Sequence, residues 1–171
     1  ESGSGKSVTA SAVMGLLSPA MTVTSGRILF DDTNLLTIPE AARRALRGKS
    51  LAMIFQDPLS ALNPLMTVGA QIVEVLVAHG WGDRASRETK VLDLLAEVGL
   101  PDPKLLRHQY PFRLSGGQRQ RVMIAIALAL DPHVLIADEP TTALDVTTQA
   151  QILDLIRTIQ RRKGMSVMFI T

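Results

Sequence analysis

Residues 134–139, Val-Leu-Ile-Ala-Asp-Glu, decide the fold, because four apolar residues run directly into two adjacent carboxylates. An unbroken apolar run of this length is typical of a strand buried on both faces, as in a parallel sheet under helices. Acidic side chains at the end of such a strand are costly unless a cation neutralises them. Because ligands of open α/β sheets bind at the carboxyl ends of the strands, we expect Asp138 and Glu139 to line a ligand crevice.

The first residues of the chain predict the ligand. Residues 1–7, Glu-Ser-Gly-Ser-Gly-Lys-Ser, have the pattern of a phosphate-binding loop without its first glycine. Glycines in such a loop let backbone N–H groups turn toward phosphate oxygens, and the dipole of the following helix adds to the attraction. Lys6 is expected to contact phosphate, and the Ser7 hydroxyl to ligate Mg²⁺. The predicted phosphate-contacting set is Gly3, Ser4, Gly5, Lys6, Ser7 and Val8.

Polar residues at strand ends predict the chemistry at the phosphate. Asp138 is expected to hold Mg²⁺, directly or through water, and Glu139 to polarise the attacking water as a general base. Gln56 follows the apolar run 51–55, so its amide is a candidate for contacting Mg²⁺ or that water. The alternative for Gln56 is an ordinary hydrogen-bonded loop residue. Together with Lys6 as a catalytic cation, these residues predict a P-loop nucleotide hydrolase.

Composition excludes several other classes of protein. The 171 residues suit one domain, and the absence of cysteine excludes a disulfide framework or a cysteine metal site. A net charge of +2 indicates no basic surface, so no nucleic-acid partner is expected. The longest apolar run, 122–130, is shorter than the roughly 20 residues that span a bilayer, so any work at a membrane needs a partner. Two interpretations, a docking patch or a solvated face, stay open for Arg43, Arg44, Arg47 and Lys49.

Hydrophobic periodicity predicts an α/β fold, a P-loop core with a parallel sheet and an inserted α-helical subdomain. Residues 1–65 and 131–171 are assigned to the core, and 66–130, in which no strand is predicted, to the helical subdomain. The predicted helices are 6–17 (stopped by Pro19), 39–46, 66–78, 85–98 and 146–162; the predicted strands are 26–30, 51–55, 134–139 and 166–171. Because a phosphate loop normally follows a strand, we expect a domain truncated at both ends, weakly active or inactive as it stands.

Residues 114–118, Leu-Ser-Gly-Gly-Gln, predict a second anion site. Ser115 and Gln118 have the spacing of a helix capping box, but such a box does not account for two glycines in the first turn, where they cost helix stability. Paired glycines leave the backbone bare, so that phosphate can approach the helix N-terminus. Because the chain already has one phosphate loop, the pattern indicates a second nucleotide or a nucleotide held by another copy.

Together with Arg119-Gln120-Arg121, this stretch resembles the signature motif of the ATP-binding cassette (ABC) ATPases. Further segments resemble family motifs in family order: 3–7 the Walker A motif, Gln56 the Q-loop glutamine, 134–139 Walker B with its catalytic glutamate, and 143–145 the D-loop. The resemblance implies Mg²⁺-dependent ATP hydrolysis by a head-to-tail dimer of cassettes, each ATP lying between the Walker motifs of one cassette and the signature helix of the other. The resemblance also implies that nucleotide is contacted by five further residues: Ser115, Gly116, Gly117, Gln118 and Asp145.

A narrower resemblance is to the ATPases of dipeptide, oligopeptide and nickel importers. It is carried by residues 54–58, 61–64, 67–68, 110–111 and 137–146. It implies peptide import, with the loop 57–66 docked on a coupling helix of a membrane permease and the protein peripheral at the cytoplasmic face of the inner membrane. Three leucines in this loop are expected to be exposed and to form the docking surface: Leu59, Leu62 and Leu65.

Departures from the family pattern leave two alternatives. The first Walker A glycine, the adenine-stacking aromatic residue and the switch histidine expected after Thr171 are not in the sequence. The alternatives are a non-transport ABC ATPase acting in translation or DNA repair, and a cassette that binds ATP without turnover. The short span from Gln56 to Ser115, without a sustained heptad, argues against the first, and Lys6 and Glu139 argue against the second. Ordinary loop, surface or packing roles are assigned to His79, His108, His133, Trp81 and Tyr110.

Overall fold

The structure is a computed structural model that describes residues 5–171. Its helices are α1 (Lys6–Met14), α2 (Glu40–Leu46), α3 (Pro58–Ala61), α4 (Val68–Ala78), α5 (Arg84–Glu97), α6 (Pro103–Leu106), α7 (Gly116–Ala127) and α8 (Val146–Lys163), with a 3₁₀ turn at Pro111–Arg113. Its strands are β1 (Leu29–Phe30), β2 (Thr33–Asn34), β3 (Leu51–Ile54), β4 (Val134–Asp138) and β5 (Ser166–Ile170). Within this span no helix is long and apolar enough to cross a bilayer.

The central sheet aligns the carboxyl ends of three parallel strands, in the order β3-β4-β5. Val134 pairs with Leu51 on one side and with Ser166 on the other, so the three strands start level. Parallel neighbours need a crossover between them, and α8 provides the one between β4 and β5. The predicted α/β class with a parallel sheet is confirmed, and Asp138 lies at the carboxyl edge as expected.

Alternate residues of the strands face two different hydrophobic layers, as the two-residue period of a strand requires. The larger layer contains residues from α4, α5, α7 and α8, and it receives from the sheet Ala52, Ile54, Leu135 and Ala137. The smaller layer contains residues of α1, and it receives Leu51, Met53, Ile136 and Ile170. The sheet is therefore covered by helices on both faces, which explains why 134–137 is an unbroken apolar run rather than an alternating one.

The segment 66–130 contains helices joined by loops, with no strand among its described residues, and it shares a core with the sheet. It forms α4, α5, α6, the 3₁₀ turn and α7. Completely buried side chains join these helices, among them Ile72 and Leu76 of α4 and Leu95 of α5. The same cluster continues through α7 to the sheet and α8. The helical segment and the sheet are thus packed as one body around α7.

Three segments predicted from the sequence differ from the structure by more than two residues. The first helix ends at Met14 rather than near Pro19, because Gly15 adopts a left-handed conformation that ends α1. The predicted strand 26–30 pairs only at β1, in a hairpin with β2 that turns at Asp31, where φ is 49°. The predicted loop after Gln56 contains α3, because the Asp57 carboxylate accepts the Leu59 N–H and caps a helical turn. That backbone hydrogen bond also holds the pKa of Asp57 below its ordinary value.

Two of the four basic residues in and after α2, Arg43 and Arg47, make contacts inside the fold, whereas Arg44 and Lys49 are exposed. Arg47 donates from Nε to the Met14 carbonyl over 2.7 Å and from Nη2 to the Gly15 carbonyl over 2.9 Å. Arg43 donates from Nη2 to the Leu35 carbonyl over 2.7 Å. Carbonyls at the end of a helix have no partner within it, so Arg47 completes the end of α1. Neither the docking patch nor the solvated face describes these two arginines.

An ionic cluster joins α5, the turn before β4 and the end of α8. Asp131 accepts hydrogen bonds from Lys90, over 2.9 Å, and from Lys163, while Lys163 and Arg162 also contact Glu97. Partial burial by itself would raise the pKa of Asp131, but the hydrogen bonds from Lys163 and Lys90 outweigh it and hold the pKa below its ordinary value. Partial burial would likewise lower the pKa of Lys163, but its bonds to Asp131 and Glu97 raise it.

Candidate functional site

Ser7 and Asp138 meet at the carboxyl end of β4. Ser7 Oγ, in the first turn of α1, donates to Asp138 Oδ1 over 2.9 Å. Asp138 is only 5% exposed, and a buried carboxylate is costly unless it is hydrogen-bonded or paired with a cation. Two of the three residues that the sequence assigned to Mg²⁺ therefore lie side by side, although 131 positions separate them in the chain; the third, Gln56, is not in this contact.

Glu139 is held by its backbone and by its carboxylate. Its φ of 44° is in the left-handed region, which is uncommon for a residue other than glycine, and its N–H donates to the Ile170 carbonyl over 2.9 Å. Its Oε2 accepts hydrogen bonds from Gln56 Nε2, over 2.8 Å, and from Thr142 Oγ1, over 3.0 Å. Two residues predicted from separate strand ends, Gln56 and Glu139, are thus in direct contact.

Lys6, Gln56 and Glu139 line one open cavity of about 430 Å³. The remaining lining residues are Pro140, Thr141, Thr142 and Thr171. Lys6 Nζ donates to the backbone oxygen of Thr171, another lining residue, over 2.5 Å. A cation and a carboxylate facing one space next to a helix N-terminus suit an anionic ligand with a water molecule beside it.

The phosphate loop is described only from Gly5 onward. Gly5 has a φ of 83°, which a glycine adopts without steric cost, and it is the N-cap of α1. In the described chain no side chain caps this helix, and an uncapped helix N-terminus suits the anion that the loop predicts. Val8 lies exposed in the first turn of α1. The predicted contacts at Gly3 and Ser4 fall outside the described residues.

The capping box predicted at the start of α7 is confirmed. The Gln118 N–H donates to Ser115 Oγ over 3.2 Å, and the Ser115 N–H donates to Gln118 Oε1 over 3.0 Å. Gly116 lines a second cavity, of about 160 Å³, together with Gln56 and Arg119. The residues of this signature segment are not among those that line the cavity at Lys6. Within one chain the two predicted phosphate sites are therefore separate, and Gln56 borders both cavities.

Packing against α8 provides a further reason for one of the two signature glycines. A Cβ atom at Gly117 would lie 2.8 Å from Cγ2 of Thr148, closer than side chains tolerate. A Cβ atom at Gly116 would meet only Cδ2 of Leu144, at an ordinary 3.5 Å. Gly117 is thus required by the close approach of α8, whereas Gly116 has room for a side chain. Phosphate access to this helix start stays a prediction.

The turn after Glu139 is fixed from α8. Gln149 Nε2 donates to the carbonyls of Thr141 and Leu144, each over 3.0 Å. The Asp145 carboxylate accepts the Thr148 N–H over 3.0 Å and caps α8, and this bond holds the pKa of Asp145 below its ordinary value. In this structure the Asp145 side chain is the N-cap of α8, and its contact with nucleotide stays a prediction.

The loop 57–66 exposes two of its three leucines. Leu59 is 59% exposed and Leu65 is 86% exposed, but Leu62 is 3% exposed and packs into the larger hydrophobic layer. The expectation that Leu62 is exposed is therefore wrong. Gln71 of α4 fixes the end of the loop, because its Oε1 accepts the Asn63 N–H and its Nε2 donates to the Asn63 carbonyl, each over 3.0 Å.

Three side chains that shape this site were missed in the sequence: Gln71, Thr142 and Gln149. Gln71 interrupts the apolar face of α4, and a polar residue at a buried position must find partners, which was a usable signal. Thr142 follows Glu139 by three residues, a spacing at which a turn brings side chains together. No feature of the sequence identifies Gln149, because its partners are two backbone carbonyls, and every residue type has one.

Three of the residues assigned ordinary roles, His133, Trp81 and Tyr110, make structural contacts. The His133 N–H donates to the Ser50 carbonyl over 3.0 Å. Trp81 packs against the larger hydrophobic layer, with Lys90 Nζ 6.0 Å from its ring centroid. Tyr110 stacks on Phe112 with 5.6 Å between ring centroids.

The donor set at Ser7 and Asp138 fits Mg²⁺. Mg²⁺ takes one or two carboxylates from a protein and completes its coordination with water and substrate phosphates. From Gly5 to Thr171 there is no group of three or more His, Cys, Asp or Glu side chains that would form a complete protein cage. A buried carboxylate beside a serine hydroxyl is the smaller ligand set that Mg²⁺ needs when phosphates supply the rest.

Comparisons with known proteins agree with this geometry. Residues 1–142 match the family described as ABC transporter. The peptidoglycan transport ATP-binding protein YejF of Agrobacterium fabrum is 55% identical over all of this chain and 32% of its own length. The oligopeptide transport ATP-binding protein OppD of Lactococcus lactis is 53% identical over all of this chain and 51% of its own length. The resemblance to ABC ATPases, and to peptide-importer ATPases among them, is confirmed.

A solved structure supports the same fold. The dimeric post-hydrolysis state of an ATP-binding cassette bound to ADP and Pi superposes with a TM-score of 0.85 at 30% identity, over all of this chain and 71% of that one. The chain spans about half the length of the oligopeptide-transport relative and about a third of the peptidoglycan-transport relative.

Proposed function

Because this chain belongs to the ABC transporter family, we propose that it binds ATP and hydrolyses it with Mg²⁺. The observation that carries the proposal is the placement of Lys6, Gln56 and Glu139 around one cavity. We assign residues 1–65 and 131–171 to the nucleotide-binding core and 66–130 to a helical subdomain.

Each residue of the site has a separate task in this proposal. Lys6 and the start of α1 bind the terminal phosphates, and Ser7 and Asp138 hold Mg²⁺, which when bound neutralises charge on the phosphate oxygens. Glu139 accepts a proton from the attacking water, which strengthens the water as a nucleophile. Gln56 donates to Glu139 in the structure, and its amide also borders the space where metal and water would lie.

A second cassette completes the site. None of the signature residues Ser115, Gly116, Gly117 and Gln118 lines the cavity at Lys6, and Gly116 lines a different one. Another copy or a related cassette must therefore bring its own signature helix to the phosphates. The N-terminus of α7 suits the γ-phosphate of the partner's ATP. The similar solved structure is described as dimeric, which supports this arrangement. Asp145, at the start of α8, is assigned to the same composite site.

The transport partner is a membrane permease that docks on the loop 57–66. Leu59 and Leu65 expose apolar surface on a loop that Gln71 holds in place, and exposed apolar patches mark interaction sites. A relative 53% identical to this chain is named for oligopeptide transport, which supports import of peptides. The protein then works as a peripheral subunit at the cytoplasmic face of the inner membrane, with no nucleic-acid partner.

The test is Glu139→Gln in the intact protein. The amide keeps the shape of the side chain but cannot accept the proton, so we expect turnover to fall by about 10²–10⁴-fold while Mg-ATP binding persists. Steady-state phosphate release and calorimetric ATP binding measure the two effects separately. Near-normal turnover would remove Glu139 from the mechanism, and crosslinks from Leu65 to ribosomal or DNA-repair proteins alone would favour a non-transport ATPase.

A further inference from the structure

The carboxylate of Glu139 is held asymmetrically. Both side-chain donors, Gln56 Nε2 and Thr142 Oγ1, bind the same oxygen, Oε2, over 2.8 and 3.0 Å. Among residues 5–171 no side chain donates a hydrogen bond to Oε1. A carboxylate held through one oxygen keeps its other oxygen oriented and available to accept a proton.

The two donors differ in how they are attached to Glu139. Gln56 follows a different strand, 83 positions away, and is exposed at the edge of two cavities. Thr142 lies three positions away in the same turn, and its N–H also donates to the Glu139 carbonyl over 3.3 Å. A movement of Gln56 away from Glu139 therefore breaks the first hydrogen bond but leaves the second in place.

The turn that carries Thr142 is itself fixed. Gln149 of α8 donates to the Thr141 carbonyl, and the Glu139 N–H donates to Ile170 at the end of β5. Pro140, between the two residues, is buried. The turn is consequently anchored to α8, and the backbone of Glu139 is anchored to the sheet. Both partners of the hydrogen bond between Glu139 and Thr142 are therefore fixed in position.

We propose that Thr142 is a positioning residue for the general base: its hydroxyl fixes Oε2 of Glu139, so that Oε1 receives the proton of the attacking water. The inference rests on the proposed function, in which Glu139 is that base. In the step, the water oxygen bonds to the γ-phosphorus, the bond from that phosphorus to the bridging oxygen of ADP breaks, and the proton from water goes to Oε1. When Gln56 turns toward the ligand, Thr142 remains the donor that orients the carboxylate.

The test compares Thr142→Val, which keeps the shape and removes the hydroxyl, with Thr142→Ser, which keeps the hydroxyl. Because Thr142 is exposed, both variants should fold. In the intact protein we expect Thr142→Val to lower kcat by about 10–100-fold, the size of one lost hydrogen bond to a charged group, with KM for ATP and Mg-ATP binding unchanged. Thr142→Ser should restore most of kcat.

The pathway through Glu139 is tested in a Glu139→Gln background, where Thr142→Val should cause no further loss. Normal kcat in Thr142→Val, equal losses in the Val and Ser variants, or a full additional loss in the Glu139→Gln background would each overturn the inference. If Glu139→Gln arrests turnover while Thr142→Val is normal, the positioning role alone is wrong. If Glu139→Gln turns over normally, the proposed function fails and the inference fails with it.

Discussion

Ser7 Oγ donates a hydrogen bond to Asp138 Oδ1 over 2.9 Å, joining the first turn of α1 to the carboxyl end of the central strand. The bond brings a hydroxyl from the phosphate loop to a buried carboxylate at that end of the sheet. It marks the place where we propose that phosphate and Mg²⁺ meet.

Ser7→Ala should raise the Mg²⁺ concentration needed for half-maximal turnover, because it removes a ligand and leaves Asp138 without its hydroxyl partner. The expected shift is on the order of 10–100-fold, the range seen when a metal site loses a supporting contact. Titrating Mg²⁺ against phosphate release measures it. Thr9→Val is the matched control, because the Thr9 hydroxyl donates to the Gly5 carbonyl on the exposed side of α1. An equal shift in both variants would contradict the assignment.

Lys6→Ala and Gly116→Asp should separate the two phosphate sites. Lys6→Ala removes a charged phosphate contact and should weaken ATP binding to a single cassette. Gly116→Asp should leave that binding intact and abolish ATP-dependent dimerisation, because a carboxylate at the start of α7 repels the partner's phosphate. Equilibrium dialysis measures binding, and analytical ultracentrifugation measures the dimer. Equal loss of monomer binding in both variants would show that the shared site is wrong.

Gly117→Ala should destabilise the protein by about 1–3 kcal/mol, since the new Cβ would lie 2.8 Å from the Thr148 methyl group. Gly116→Ala should be tolerated, because its Cβ would have an ordinary contact with Leu144. Urea unfolding compares the two. Adding Thr148→Ser to Gly117→Ala removes the clashing methyl and should recover most of the loss. No recovery would mean that α8 does not set the requirement for glycine.

Leu65→Asp should uncouple ATP hydrolysis from transport without changing ATP binding or folding, because Leu65 is 86% exposed on the proposed docking loop. Leu62→Asp is the contrasting variant: it places a carboxylate in the core and should unfold the segment. Co-purification of the permease and thermal unfolding distinguish the two effects. Normal permease binding by Leu65→Asp would exclude this residue from the docking surface.

Asp131→Asn should lower stability near neutral pH, where Asp131 is charged and bound to Lys90 and Lys163. Because the folded pKa of Asp131 is below its ordinary value of 3.8, its contribution is present above that value and is lost as the pH falls through the lowered pKa. The raised pKa of Lys163 means that the Lys163 contribution is lost only in strong alkali. The difference in free energy of unfolding between wild type and Asp131→Asn, about 1 kcal/mol, should therefore vanish in strong acid. A difference that persists there would assign the effect to packing.

Local pattern was enough to predict the α/β class and the position of each motif. The run 134–139 indicates a buried strand with acids at its end, because burial on both faces leaves no polar position until the strand stops. The capping box at Ser115 involves only neighbours in one helical turn, so its spacing is visible in the sequence. Lys6 begins a helix, and Gln56 and Glu139 come after strands. Because the ends of these elements meet at one edge of a parallel sheet, the proximity of the three residues was predictable.

Contacts between distant segments were decided only by the tertiary structure. Leu59, Leu62 and Leu65 are alike in sequence, and only the packing of α3 against the core buries the middle one. The need for glycine at Gly117 comes from α8, and the convergence of Gln56 and Thr142 on one carboxylate oxygen comes from the turn that α8 holds. Sequence spacing specifies which residues share an element, but the direction of a side chain and its available space depend on elements far along the chain.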